Sequence, residues 1–242
     1  MPTALVYYEG HSRIKELAGS LSNLNGWDVC FNACENSQIQ ELLNDFNGCD
    51  LHFLIYANPL DPESLRELYL IRQNCPFTFI IYYNSFLVNQ QFLKLSEIGI
   101  NACIIGSQRQ NHLPELLQKL WQKHWKRIPE KIYPNSLNSL SPRAKKVIDF
   151  IENKTLNQCQ IKNIAQFLQI SPSHFRAEFK YNFGINFRDF KQKLFAHYES
   201  VLLLNQDYTP TDVSRLFPYS NLANLSRSFK NRHGDSWRNM AN

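Results

Sequence analysis

The sequence predicts two folds in one chain: an α/β domain built on a parallel sheet, followed by an all-helical domain. Three observations carry this. Short, wholly apolar runs alternate with helical patterns over the first half, which implies strands buried on both faces. A pattern in the second half occurs twice, about 50 residues apart, and repeats of that length mark a duplicated supersecondary unit. Charge divides at the same place. Residues 1–127 hold 10 Lys+Arg and 12 Asp+Glu, net −2, whereas residues 128–242 hold 16 and 9, net +7. A polyanionic partner therefore belongs with the second half.

The first-half elements follow in order. Ala4–Tyr8 reads as a strand and Arg13–Leu24 as a helix with Ile14, Leu17, Ala18 and Leu21 inward. Asp28–Asn32 is a second strand. Ser37 caps a helix over 38–46. Leu51–Ala57 is the third strand, and Pro62 opens a helix to about Gln73. Phe77–Tyr83 is the fourth strand, Phe86–Ile98 a helix closed by Gly99, Ala102–Ile105 the fifth strand, and Leu113–Arg127 a last amphipathic helix. Five such units predict a flavodoxin-like, doubly wound sheet of order 2-1-3-4-5. The expected division is a regulatory domain over 1–127, a linker over 128–140 and a helical domain over 141–242.

This layout resembles the receiver domain of bacterial response regulators. The resemblance implies an acidic pair after strand 1, a phosphoacceptor Asp ending strand 3, a Ser or Thr after strand 4 and a Lys after strand 5. Counting back four from Pro59 puts Ile55 at the phosphoacceptor position. Glu9 alone remains of the acidic pair, and Gly106 stands near the place of the Lys. Aspartyl phosphorylation needs a carboxylate nucleophile, and Mg²⁺ needs an array of oxygen ligands. The expectation is a degenerate receiver that works without phosphorylation, with no catalytic residues and no cofactor.

In the second half, Ser141-Pro142 caps a helix reaching Asn153. The repeat itself runs IKNIAQFLQISPSHFRAEFKYNFG and then TDVSRLFPYSNLANLSRSFKNRHG. Phe175, Phe179, Lys180 and Gly184 match Leu225, Phe229, Lys230 and Gly234 at an offset of 50. Ile164 and Ala165 match Val213 and Ser214 at 49, so the second turn is one residue longer. Each copy reads as helix, turn, helix. A long helix over 189–204, with Phe190, Leu194, Tyr198, Val201 and Leu202 inward, joins them.

Residues 141–240 resemble the DNA-binding domain of AraC/XylS-family transcriptional regulators. The matching pieces are IAQFLQISPSHFRAEFKYNFG, FRDFKQKL and LLNQDYTPTDVSRLFPYSNLANLSRSFKNRHGDSW. The chain departs from the family at Ser214, where the family has Ala, at Pro218-Tyr219 for Gly-Phe, and at Ser236-Trp237 for Ser-Pro. The resemblance implies two recognition helices presented to duplex DNA. It places Ser173, His174, Arg176 and Ala177 of the first, and Ala223, Asn224 and Arg227 of the second, toward bases. Lys180, Lys230 and Arg232 follow as phosphate contacts.

The six cysteines lack metal-ligand spacing and predict reduced thiols, with no metal site. No apolar run reaches membrane-spanning length and the first residues carry no leader pattern, so a cytoplasmic protein is expected, and the two resemblances imply a bacterial one. Phe92, Leu116, Trp121 and Trp125 mark a candidate face for a homodimer or a protein partner. Two other readings stand: a small-molecule sensor with ligand near Tyr8, Tyr56 and Tyr83, and a protein-binding adaptor whose DNA contacts have decayed.

Overall fold

The computed structural model describes residues 2–33, 51–132, 140–203, 208–219 and 221–240. The helix expected over 38–46, together with Cys34 and Cys49, lies outside them. The chain divides into two units, Met1–Lys123 and His124–Asn242.

The first unit is a five-stranded parallel sheet of order β2-β1-β3-β4-β5, as expected. Its strands are β1 Thr3–Tyr8, β2 Asp28–Ala33, β3 Phe53–Ala57, β4 Phe79–Asn84 and β5 Ala102–Ile105. Strand residues alternate between two apolar layers. Ala4, Val6, Tyr8, Phe53, Ile55, Ala57, Ile81 and Tyr83 face one layer. Leu5, Tyr7, Leu54, Tyr56, Ile80 and Tyr82 face the other. Burial on both faces is why these strands show no polar alternation in sequence.

Among the described residues, this unit also holds helices His11–Leu21, Pro62–Asn74, Asn89–Ile98 and Arg109–Gln122. Asp61 caps the second of them, accepting from the Ser64 amide at 2.7 Å, with Pro62 at the first helical position. The last helix differs at both ends from the expected 113–127. It begins a turn before Pro114 because the Asn111 and His112 amides bond back to the Gln108 carbonyl. It stops at Gln122 because Trp125 is buried elsewhere, against Tyr198 in the second unit.

That burial moves the boundary. Residues 124–132 pack with the helical unit rather than forming a linker from 128. Trp125, Lys126, Ile128 and Ile132 are all buried. The Tyr198 hydroxyl donates to the Lys126 carbonyl at 2.6 Å. Glu152 accepts from the Ile128 amide at 2.9 Å and pairs with Arg127 at 2.5 Å. With the boundary at 123/124 the charge contrast sharpens: 8 basic and 12 acidic residues, net −4, precede 18 basic and 9 acidic, net +9.

The second unit holds helices Pro142–Asn153, Ile161–Phe167, Pro172–Phe183, Phe187–Leu203, Pro210–Leu216, Leu222–His233 and Trp237–Met240. Phe187–Leu203 has 17 residues, roughly 25 Å of helix. It buries Phe190, Leu194, Phe195, Tyr198, Glu199, Leu202 and Leu203, while Val201, expected inward, is exposed. Among the described residues no helix is long and apolar enough to cross a membrane.

Candidate nucleic-acid interface

Each copy of the repeat forms two helices across a turn, and the two turns are built differently. In the first, the Gln169 amide bonds to the Gln166 carbonyl and the Ile170 amide to the Ala165 carbonyl. This paired closure needs a left-handed residue between them, and Gln169 supplies it with φ 56. In the second, Pro218 forces the residue before it to extended backbone, and Phe217 has φ −98 and ψ 157. The chain cannot turn left-handed there, so it uses one residue more. Phe217 is buried against Phe195 and stacks on Tyr219 at 5.5 Å. Pro218 is thus accommodated by the longer loop.

Both second helices start on a side-chain cap. Ser171 accepts from the His174 amide, and Asn221 from the Asn224 amide at 2.9 Å. Such caps contribute about 1 kcal/mol each. Both helices end on a left-handed glycine, Gly184 with φ 68 and Gly234 with φ 84, a conformation that a side chain disfavours. The repeat's shared glycine is therefore a helix stop.

The first helix buries Phe175, Phe179 and Phe183 beneath Phe187 and Phe190. This leaves Ser173, His174, Arg176, Ala177 and Lys180 exposed. His174 lies 3.6 Å from Glu178, which Arg143 also pairs at 2.8 Å. The acid on this face is thereby matched by two basic groups. The second helix buries Leu225 and Phe229 and exposes Ala223, Arg227 and Lys230, with Asn224 half-buried.

Arg232 departs from its expected phosphate role. Its guanidinium forks onto the fully buried Glu199: Nε donates to Oε2 at 2.9 Å and Nη2 to Oε1. Nη1 donates to Gln192 at 3.0 Å. A carboxylate inside the unit needs donors around it, and Arg232 is held there rather than offered to solvent. Burial pushes the Arg232 pKa down, but Glu199 outweighs it and holds the guanidinium charged. The pairing was missed in sequence although Glu199 gave a signal. It stands at a helical position flanked by the inward Phe195 and Leu202, where a lone acid implies a partner from elsewhere.

The carboxyl edge of the sheet is the other candidate site. The strand register pairs Ile55 with Val6 and Ile81, two residues inside the edge. The residues at the edge are Ala57, level with Tyr8, and then Asn58. The count from Pro59 therefore lands too deep; neither edge residue carries a carboxylate. Asp61 is a helix cap, and the Ser64 amide and hydroxyl hold its carboxyl below the usual range. Arg13 reaches Asn84 at 3.1 Å across this edge, and a guanidinium opposes a divalent cation.

Beside it, Glu16 pairs with Arg109 at 2.6 Å and accepts from the Tyr83 hydroxyl at 2.5 Å. Burial pushes the Glu16 carboxyl up, but hydrogen bonds from Arg109 and Tyr83 outweigh this and hold it below the ordinary value. Tyr56 bonds Glu67 at 2.6 Å. The Tyr56 and Tyr83 rings are buried, so the tyrosines of the sensor reading pack the sheet and hold carboxylates at its rim.

The four residues of the expected partner face separate. Phe92 is exposed, and Phe86, Val88 and Leu93 near it are exposed too. Leu116 and Trp121 pack onto the sheet, with Trp121 against His52, Trp27 and Phe53. Trp125 belongs to the second unit, as described above.

No family model matches the chain, and no curated protein does. Among solved structures, the RcsB response regulator of Salmonella typhimurium is similar over 80% of this chain and 97% of its own, at 16% identity and TM-score 0.43. The CheY-like protein TadZ of Pseudomonas aeruginosa is similar over 50% of this chain and 99% of its own, at 18% identity and TM-score 0.41. The C-terminal domain of AraT, a response regulator of Geobacillus stearothermophilus, is similar over 43% of this chain and 86% of its own, at 22% identity and TM-score 0.39.

Proposed function

We propose that the chain is a sequence-specific DNA-binding transcriptional regulator of AraC type. It reads duplex DNA with two helices and takes its input through a phosphorylation-independent, receiver-like domain. One observation carries the reading: the repeat presents the same helix twice from a unit of net charge +9. Each copy is anchored by its buried aromatic or leucine pair, and its outward face carries the polar and basic residues. Exposed Arg176 and Arg227 suit guanine O6 and N7, Asn224 suits adenine, and Ala177 and Ala223 suit thymine methyls. Lys180 and Lys230 suit phosphates.

The input side rests on what the sheet edge lacks. Without a carboxylate at Ala57 or Asn58, where the third strand ends, control passes to association. The exposed Phe86, Val88, Phe92 and Leu93 form an apolar face for a second copy or a protein partner. A dimer would raise avidity for paired sites through effective concentration.

Sequencing of duplexes selected by the purified chain from a random pool tests the DNA reading. A two-part motif is expected. No enrichment at low salt would leave the adaptor reading in its place.

A further inference from the structure

The two recognition helices are held by different forces. The first ends on an apolar stack: Phe179 and Phe183 lie 4.2 Å apart, under Phe187 and Phe190. The position matching Arg232 in that copy is Asn182, which accepts from the Ser141 amide at 3.4 Å. The second helix instead ends on a buried charged cluster. Glu199, fully buried, accepts from Arg232, from His233 Nε2 at 3.3 Å and from the Tyr219 hydroxyl at 2.9 Å. Arg232 also donates to Tyr219. One carboxylate therefore ties together the long helix, the longer turn and the last turn of the second reader.

The elements it joins also meet through apolar contacts, Phe217 against Phe195 among them. Only Leu225 and Phe229 of this helix are fully buried, against Phe175, Phe179 and Phe183 of the first. Two apolar anchors one turn apart leave a helix able to roll about its own axis, and a forked ion pair at one end opposes that roll. Tyr219 is the residue placed to complete the fork. Its ring is fixed by the stack on Phe217, and its hydroxyl reaches both members of the pair.

Building on the DNA reading above, we propose that Glu199 is the positioning residue of the second recognition helix. By holding Arg232, His233 and Tyr219, it sets the roll of that helix and hence which base edges Arg227 and Asn224 meet. The first helix does not depend on it.

The test compares duplexes selected by the full-length wild type, Glu199→Gln and Tyr219→Phe. Arg176→Ala and Arg227→Ala first identify which part of the motif each helix reads. Tyr219→Phe removes one hydroxyl and keeps the stack, so it remains informative if Glu199→Gln lowers stability. Both variants are expected to flatten the part marked by Arg227 by about tenfold in preference and to leave the part marked by Arg176 unchanged. A profile unchanged in both parts, or relaxed equally in both, overturns the role of Glu199 while the DNA reading stands. A wild type that selects no sequence overturns both.

Discussion

Arg227, Lys230 and Arg232 stand within two turns of one helix, yet their surroundings assign them different work. Arg227 is exposed on the outward face of the helix. Its replacement by Ala should relax preference at one base position by about 1–3 kcal/mol, measured by competition between single-base variants of a selected site. Lys180→Ala and Lys230→Ala should instead weaken all duplexes alike and lower the salt slope by about one unit each. Arg232→Ala should act on folding. It strips the fork from a buried carboxylate, a loss of about 3–5 kcal/mol, read as a lower urea midpoint of residues 124–242.

A titration belongs at the same scale. The Glu16 carboxyl is held below its ordinary value by Arg109 and Tyr83. Its folded pKa thus lies under the unfolded one, so its stabilisation is present above the unfolded value near 4.5. It is lost as pH falls through the lower, folded value. Glu16→Gln should remove that part of the acid sensitivity of residues 1–123, followed by denaturation at pH 7 and at pH 4.

At the scale of elements, proline-capped starts were legible, while uncapped starts and turns were not. Four helices open on a capping side chain followed by proline: Asp61-Pro62, Ser141-Pro142, Ser171-Pro172 and Thr209-Pro210. That pair of residues has one favourable conformation and one place to use it, so the sequence alone locates it. Strands were equally plain, since five buried runs leave no other assignment for so many β-branched and aromatic residues. The turn of the first motif was located but not its geometry. Nothing in a glutamine announces a left-handed backbone; the two closing hydrogen bonds around Gln169 impose it. Gln169→Gly should relieve that strain, offset in part by glycine's greater unfolded-state freedom. The expected gain is up to about 1 kcal/mol in the urea midpoint of residues 124–242, and a lower midpoint would contradict the left-handed assignment.

At the scale of the molecule, what escaped the sequence were pairings across long separations. Periodicity reports which side of a helix is apolar, not which distant segment will cover it. Trp125 looked surface-bound beside Lys123, Lys126 and Arg127, but Tyr198 meets it edge-on at 5.3 Å. Leu116 and Trp121 were expected on a partner face, but they are partly buried against the sheet. The association proposed above rests on the exposed Phe86, Val88, Phe92 and Leu93. Light scattering on the full chain should show a mass above the monomer that returns to monomer in Phe92→Asp. A wild type monomeric at tens of micromolar would leave a different protein as the partner of that face.

The segment 124–132 decides what can be exchanged. Its carbonyl at Lys126, its amide at Ile128 and the ring of Trp125 each complete a group of the helical unit: the Tyr198 hydroxyl, the Glu152 carboxylate and the apolar bed beside them. A chain begun at 141, where sequence alone would cut, takes the Ile128 amide and Arg127 from that carboxylate and the Lys126 carbonyl from that hydroxyl. It should unfold at lower urea than a chain begun at 124. The segment is thus an integral part of the helical unit that happens to be written next to the sheet. A foreign domain grafted ahead of His124 is joined to a complete helical unit, whereas one grafted at Ser141 is joined to a unit that lacks this segment.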